Sequence, residues 1–260
     1  MAGLVHCEVA DGVATITLDS PANRNALSRQ LVADLNSALD RAEQEHARAV
    51  VLTHTPPVFC AGADLKERAA DTATPPDGTS AGNPMATAMQ RLATMPAVTI
   101  AAVDGPARAG GIGLMAACDL VVVNPQITFA LTEVRIGVAP AIISVPILAR
   151  CGWSKLASAW LTGEPFGAET ARDMGLVTHV SDDVAGTVRS LVQGVLAGAP
   201  GAVAAAKAVL RQPTPSMDDP AVMAEMTALS DRLFRSEEAA EGMRAFAEKR
   251  PPRWATGGPA

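Results

Sequence analysis

Three apolar stretches, "RAVVLTH" (48–54), "AVTIAAVD" (97–104) and "DLVVVN" (119–124), are too short for helices and, apart from Thr53 and Thr99, are polar only at their ends. A strand that reads apolar on both sides must be covered on both faces, which demands a parallel sheet with helices above and below. Helical patterns lie between these runs. After "LVHCEVA", the dipeptide "DG" and "VATITLD", a hairpin by its turn chemistry, Ser28 offers an N-cap to "RQLVADLNSALDRAEQ" with Leu31, Leu35 and Leu39 on one face. The alternation predicts an α/β fold. With 260 residues, 48% of them hydrophobic, the chain can bury one large core.

After Ala141 the pattern turns helical: "IISVPILARCG", "SKLASAWLTG", "GAETARDMG", then long segments over 183–210 and 219–248. The last segment is charged on one face and apolar on another, so its stripe must lie on its own core or on a partner subunit. Residues 69–83 are rich in Pro, Gly, Ser and Thr, the composition of a lid, a binding loop or a disordered segment.

The formal charge of −6, from 21 basic and 27 acidic residues, argues against a nucleic-acid surface. No apolar run reaches the roughly 18 residues of a membrane span, and the N-terminus lacks the pattern of a signal peptide. Cys7, Cys60, Cys118 and Cys151 share no metal-ligand or disulfide spacing. Cys60 and Cys118 read as small core residues, no metal is expected, and a reducing cytoplasm is the simplest location.

Two turns could do chemistry. "PVFCAGADLKE" (57–67) leads through Ala61, Gly62 and Ala63 to a helix start at Asp64; "ARAGGIGLM" opens a helix at Gly110 and Gly111. Main-chain N–H groups at such turns have no helical partner and carry positive partial charge, so two of them converging would form an oxyanion hole. Each turn alone is equally a way to pack a helix against a sheet. The second lacks the spacing of a dinucleotide fingerprint. Glu133, in "FALTEVRIGVAPAI", is either half of a salt bridge with Arg135 or a general acid/base with a raised pKa. His54, His179 and Ser144 read as structural, and no nucleophile elbow is present. Arg108, just before the second turn, needs an anion: Asp104, Asp119 or a distal carboxylate on a substrate.

In order along the chain, "VATITLDSPANRNALS", "FCAGADLKE", "AAVDGPARAGGIGLMAACDLVVV", "FALTEVRIGVAP", "WLTGEPFGAETARDMGLVTHV" and "EGMRAFAEKRPPRW" resemble the crotonase (enoyl-CoA hydratase/isomerase) superfamily over nearly the whole length. The resemblance implies a spiral of repeated ββα units over 1–200 with a CoA-ester site. It also implies a C-terminal helical region over 201–260 that builds a homotrimer or dimer of trimers. The substrate would be an acyl-CoA thioester, with CoA as its carrier and no prosthetic group. Ala63 and Gly110 would supply the two N–H groups of the oxyanion hole, with Gly111 and Gly113 letting the thioester approach. Ala61 and Leu65 would lie by adenine; Arg24, Lys66 and Lys249 would meet CoA phosphates, Lys249 from across a subunit boundary.

One departure matters. Hydratases of this family use two glutamates; the second is Glu133, but the first falls at Gly113. Three readings follow: a hydratase working with Glu133 alone, an isomerase shuttling one proton, or a CoA-ester binder with little turnover. The stretch "ALTEVRIGVAPAIIS" looks like the branch acting on glutaconyl-type thioesters, for which Arg108 could hold a distal carboxylate. From other classes, a non-catalytic scaffold keeps the fold without Gly113's missing acid, and a peptidase on a related spiral lacks its nucleophile.

Overall fold

The computed structural model describes residues 3–70, 82–212 and 218–256. The sequence between 71 and 81, most of the polar segment singled out above, lies outside them.

β1 (Val5–Ala10) and β2 (Val13–Leu18) form the antiparallel hairpin, with Val5 opposite Leu18 and Ala10 opposite Val13. Asp11 and Gly12 turn it at φ 51° and 76°, the left-handed backbone that a two-residue hairpin requires and Asp-Gly tolerates. α1 (Arg29–Gln44) begins where Ser28 Oγ accepts from Leu31 N–H at 3.2 Å, and it buries Leu31, Leu35 and Leu39. β3 (Ala49–His54) leads to the first turn and α2 (Leu65–Ala70). Past the undescribed stretch come α3 (Pro84–Thr94), β4 (Val98–Val103), the two-residue β5 (Ala107–Arg108) and α4 (Gly110–Ala117). β6 (Leu120–Val123) and β7 (Thr128–Ala130) follow, then α5 (Ala141–Leu148), α6 (Trp153–Thr162), β8 (Phe166–Gly167), α7 (Ala168–Met174) and β9 (His179–Val180). The chain closes with α8 (Val184–Ala197), α9 (Pro200–Leu210), α10 (Pro220–Phe234) and α11 (Glu237–Ala247).

The strands make two sheets. One has the order β1-β2-β3-β4-β6-β9, parallel from β2 onward; the other is β5-β7-β8. In the parallel strands neighbouring side chains face opposite layers. Val50, Leu52, Ala101 and Val103 join the main core with α1, α3 and α4, whereas Val51, Ile100 and Ala102 pack under Val184 and Val188 of α8. This double coverage is why those runs read as unbroken apolar sequence. The small sheet continues from the end of β4, at the edge where the strands of an α/β sheet present their ligand crevice.

Both long C-terminal segments are interrupted. At Gly198–Pro200 the chain bends by 112° between α8 and α9, with Pro200 in the first turn of the new helix. At Ser236, whose Oγ accepts from Ala239 N–H at 3.1 Å, α11 starts afresh after α10. α9 is bolted to the core: Lys207 Nζ donates to Ala97 O at 2.7 Å and meets the Asp119 carboxylate at 2.8 Å, which Arg211 also reaches at 2.8 Å. α10 buries none of its residues, and Met223, Phe234, Met243 and Phe246 are exposed on α10 and α11. Among the described residues no single helix is long and apolar enough to cross a membrane.

Candidate active site

β5 is the axis of the site. On one side Cys60 forms a parallel bridge with Ala107; on the other, Ala107 lies opposite Phe129 and Arg108 opposite Ala130 in a parallel pair. Three chain segments therefore advance side by side. Ala63 and Gly110 each stand three residues past the Cys60–Ala107 bridge, and Glu133 stands four past Phe129, the residue opposite Ala107. Register lays these three segments, far apart in sequence, side by side.

The main chain turns the right groups outward. Leu27 N–H donates to Gly62 O at 2.8 Å and Asp64 N–H to Leu27 O at 3.5 Å, so the amide of Ala63 between them points away from Leu27, toward the 107–110 segment. Gly110 opens α4. Ala109 N–H is used by Ala130 O at 3.1 Å, and Ile112 and Gly113 N–H turn back to Ala109 O at 2.9 and 3.3 Å. Among the described residues neither Ala63 nor Gly110 N–H has a protein acceptor. Ala63 is exposed, so its amide is reachable from solvent. Ala109 sits at φ 48°, ψ −119°, a conformation costing a non-glycine residue about 1–3 kcal/mol and found where a chain is held for function.

Glu133 heads a short 3-10 turn, Glu133–Ile136, on leaving β7. It is half-buried, and its Oε2 is buried with no hydrogen-bond partner. Burial raises its pKa, against the smaller opposing pull of its own main-chain N–H. The salt bridge with Arg135 does not form, because Arg135 Nε donates to Thr162 O at 2.9 Å. A carboxyl with one oxygen unpartnered, holding its proton more tightly than usual, has the properties of a general acid/base.

The conserved pattern of an enoyl-CoA hydratase/isomerase family model matches residues 8–257. The chain belongs to the enoyl-CoA hydratase/isomerase family. A Thermus thermophilus protein named as an enoyl-CoA hydratase is 36% identical over 249 residues, which are 93% of this chain and 97% of that protein. Enoyl-CoA hydratase EchA19 of Mycobacterium tuberculosis is 33% identical over 246 residues, 91% of each chain. The crystal structure of an enoyl-CoA hydratase from Shewanella pealeana superposes with a TM-score of 0.91 at 28% identity, covering 96% of both chains. This family member is accordingly an α/β enzyme of the crotonase kind.

Its glycines also answer to packing. A Cβ on Gly111 would stand 2.6 Å from Cys60 Cβ and 3.1 Å from Cys60 O, so that space is taken by the neighbouring turn. A Cβ on Gly110 would meet Leu27 Cδ1 at 2.6 Å. Gly62 sits at φ 90° with its would-be Cβ 2.9 Å from Ala109 Cβ. The glycines let the two turns pack on one another, which is what aligns their amides. Cys60, fully buried between them, donates nothing to chemistry: burial pushes its thiol up to about 12. Gly113, where the family's first glutamate would fall, is not an empty place. A Cβ there would land on Ile143 Cγ2 and come within 2.5 Å of Met89 Cε.

Arg108 meets neither Asp104 nor Asp119. Its guanidinium donates to Ala107 O at 3.0 Å, to Thr128 O, and to Thr128 Oγ1 at 2.9 Å. Thr128 is at the start of β7, so the side chain runs away from the end that carries Glu133, and a distal substrate carboxylate loses its expected partner. Asp119 serves Lys207, Arg211 and Thr99 instead, and Asp104 N–H donates to His54 Nε2 at 3.1 Å.

The residues expected to hold CoA divide into two groups. Ala61 N–H donates to Arg24 O at 3.1 Å, so Arg24 and Ala61 are neighbours, and Arg24, Leu65 and Lys66 are exposed at the same turn. Lys249 is not brought there. The segment after α11 is anchored by Trp254, whose Nε1 donates to Ala197 O at 3.0 Å and whose carbonyl accepts from Arg48 at 2.9 Å. Arg48 precedes β3, whereas the site lies beyond the far end of that strand. Two features escaped the sequence reading. Asn25, fully buried at φ 53°, donates to Val58 O at 2.7 Å and Thr55 O at 3.2 Å and accepts from Ser20 N–H at 2.7 Å, clamping the Arg24 loop to the first turn. Its signal was an Asn next to two apolar residues, with more hydrogen-bonding capacity than a loop needs. Met89 and Ile143 left no signal, since an apolar residue on an apolar helix face reads only as core.

Proposed function

We propose that the chain acts on an enoyl-CoA thioester. The amides of Ala63 and Gly110 receive the thioester oxygen, and Glu133 moves the proton at the neighbouring carbon as negative charge passes onto that oxygen. What supports this reading is the side-by-side pairing of Cys60, Ala107 and Phe129, whose segments lead into two amides without a protein acceptor among the described residues and a carboxyl whose Oε2 has no hydrogen-bond partner. Fixed donors of this kind are each worth about 2.7–4 kcal/mol in the transition state. The same machinery serves hydration, in which Glu133 alone supplies the proton, and double-bond migration.

Arg24 and Lys66, exposed beside the first turn, are the cations for the CoA phosphates, and Ala61 and Leu65 flank its adenine. Lys249 joins them from a neighbouring copy. That arrangement makes the enzyme a homotrimer or a dimer of trimers, with residues 1–200 as the spiral core and 201–260 covering the partner. Support comes from α10, which buries nothing in its own chain, and from exposed Phe234 and Phe246. The cytoplasm, where acyl-CoA is made and used, is the proposed location.

Glu133→Gln tests the reading. Turnover of 2- and 3-enoyl-CoA should fall by about 10²–10⁴, the usual contribution of a general acid/base, with CoA-ester binding retained. Surviving activity would remove Glu133 from the mechanism.

A further inference from the structure

We infer that Met89 and Ile143 determine the reaction: they close the α4 side of the site to water, so the chain migrates a double bond in preference to hydrating one. This rests on the proposed enoyl-CoA reading.

Gly110 and Gly113 are one helical turn apart and share a face of α4, so the floor next to the thioester oxygen is whatever Gly113 faces. That place holds Ile143 Cγ2 from α5 and Met89 Cε from α3, both side chains 4–5% exposed. One turn earlier on α3, Met85 Cε approaches within 3.7 Å of the Cβ position of Gly110. With Leu27 Cδ1, 2.6 Å from the same position, four apolar side chains thus line the first turn of α4. An ordered water needs two to four polar partners, and this wall offers none, leaving the carboxyl of Glu133 without a second acid to share a water. A flexible thioether also moulds itself to an acyl chain better than a branched side chain.

Migration needs no water. Glu133 takes a proton from C2 of a 3-enoyl thioester, and the C–H electron pair spreads over C2–C4 and the thioester oxygen. The same proton returns at C4, the double bond moves from C3–C4 to C2–C3, and Glu133 ends as it began. Hydration would require a water held against C3 from the side the wall occupies.

The enzyme is assayed with 3-hexenoyl-CoA for migration and crotonyl-CoA for hydration, alongside Glu133→Gln. The expected result is migration at least 100-fold faster in kcat/KM, both activities lost in Glu133→Gln, and a ratio that moves at least 10-fold toward hydration in Met89→Ala or in the milder Ile143→Val. The triple variant Gly113→Glu, Met89→Ala, Ile143→Ala should hydrate faster still where it folds; the wild-type ratio decides without it. Hydration that equals or exceeds migration in the wild type overturns the inference while leaving the enoyl-CoA reading intact. So does a ratio unmoved in both single variants. Activity that survives Glu133→Gln, or none on either thioester, overturns the enoyl-CoA reading and this inference with it.

Discussion

The two turns that face each other obtain a free amide by different means. The 60–65 turn does so by strand direction. The bridge to Leu27 consumes Gly62 O and Asp64 N–H and leaves the Ala63 amide on the other side, in a stretch where Ala63 and Leu65 are exposed. Asp64 Oδ1 then caps α2 through Lys66 and Glu67 N–H at 3.0 and 3.3 Å. The 107–113 turn does so by starting a helix, and α4 is buried from Gly111 to Ala117. Its price is the strained Ala109. The lesson is that the first turn reaches solvent at Ala63 and Leu65 while resting on buried Cys60 and Gly62, whereas the second is packed into the core throughout its helix.

Gly62→Ala should separate the two most sharply. The positive φ and the contact with Ala109 Cβ would rotate the Ala63 amide, lowering kcat/KM by about 10²–10³, the loss of one oxyanion donor, along with a loss of about 1–3 kcal/mol in urea unfolding. Equal activity would show that the exposed turn has slack to spare. Gly111→Ala should lose stability by packing alone, with no positive φ to strain. Its Cβ meets Cys60 side chain and backbone together, so overpacking of about 1–3 kcal/mol is expected in the unfolding midpoint, and an unchanged midpoint would end the contrast between the turns.

Smaller effects refine it. Folding raises the pKa of Glu133 above its unfolded value, so ionising it costs stability. That cost is absent below the ordinary glutamate pKa of about 4.3 and grows as pH rises through the folded-state value. Glu133→Gln should therefore be neutral at pH 4 and stabilise at pH 8, by no more than about 1 kcal/mol for a half-exposed group, a difference that thermal melts at the two pH values would read. Ala109→Gly should stabilise by less than about 1 kcal/mol, since relief of the positive φ is offset by the freedom glycine has when unfolded, with activity within about twofold.

What the sequence disclosed was what neighbours in sequence decide. The Asp-Gly turn, the Ser28 and Asp64 caps and the doubly covered strands follow from local chemistry, and each is found where expected. The breaks at Pro200 and Ser236 were written in cap residues but masked by helical pattern on both sides. Partners brought by register were not legible. Nothing near Arg108 named Thr128, and nothing near Gly113 named Met89 and Ile143. The pairing that sets the 60, 107 and 129 segments side by side depends on a strand two residues long, which no periodicity detects.

That two-residue strand has a practical consequence for anyone wishing to retune this enzyme. An amide cannot be deleted by exchanging side chains, and here both donors descend from one short ladder through Cys60, Ala107 and Phe129. On the proposed reading, oxygen recognition is inherited with the scaffold, and libraries aimed at new reactivity have their freest targets at the sulfur-bearing and branched side chains opposite.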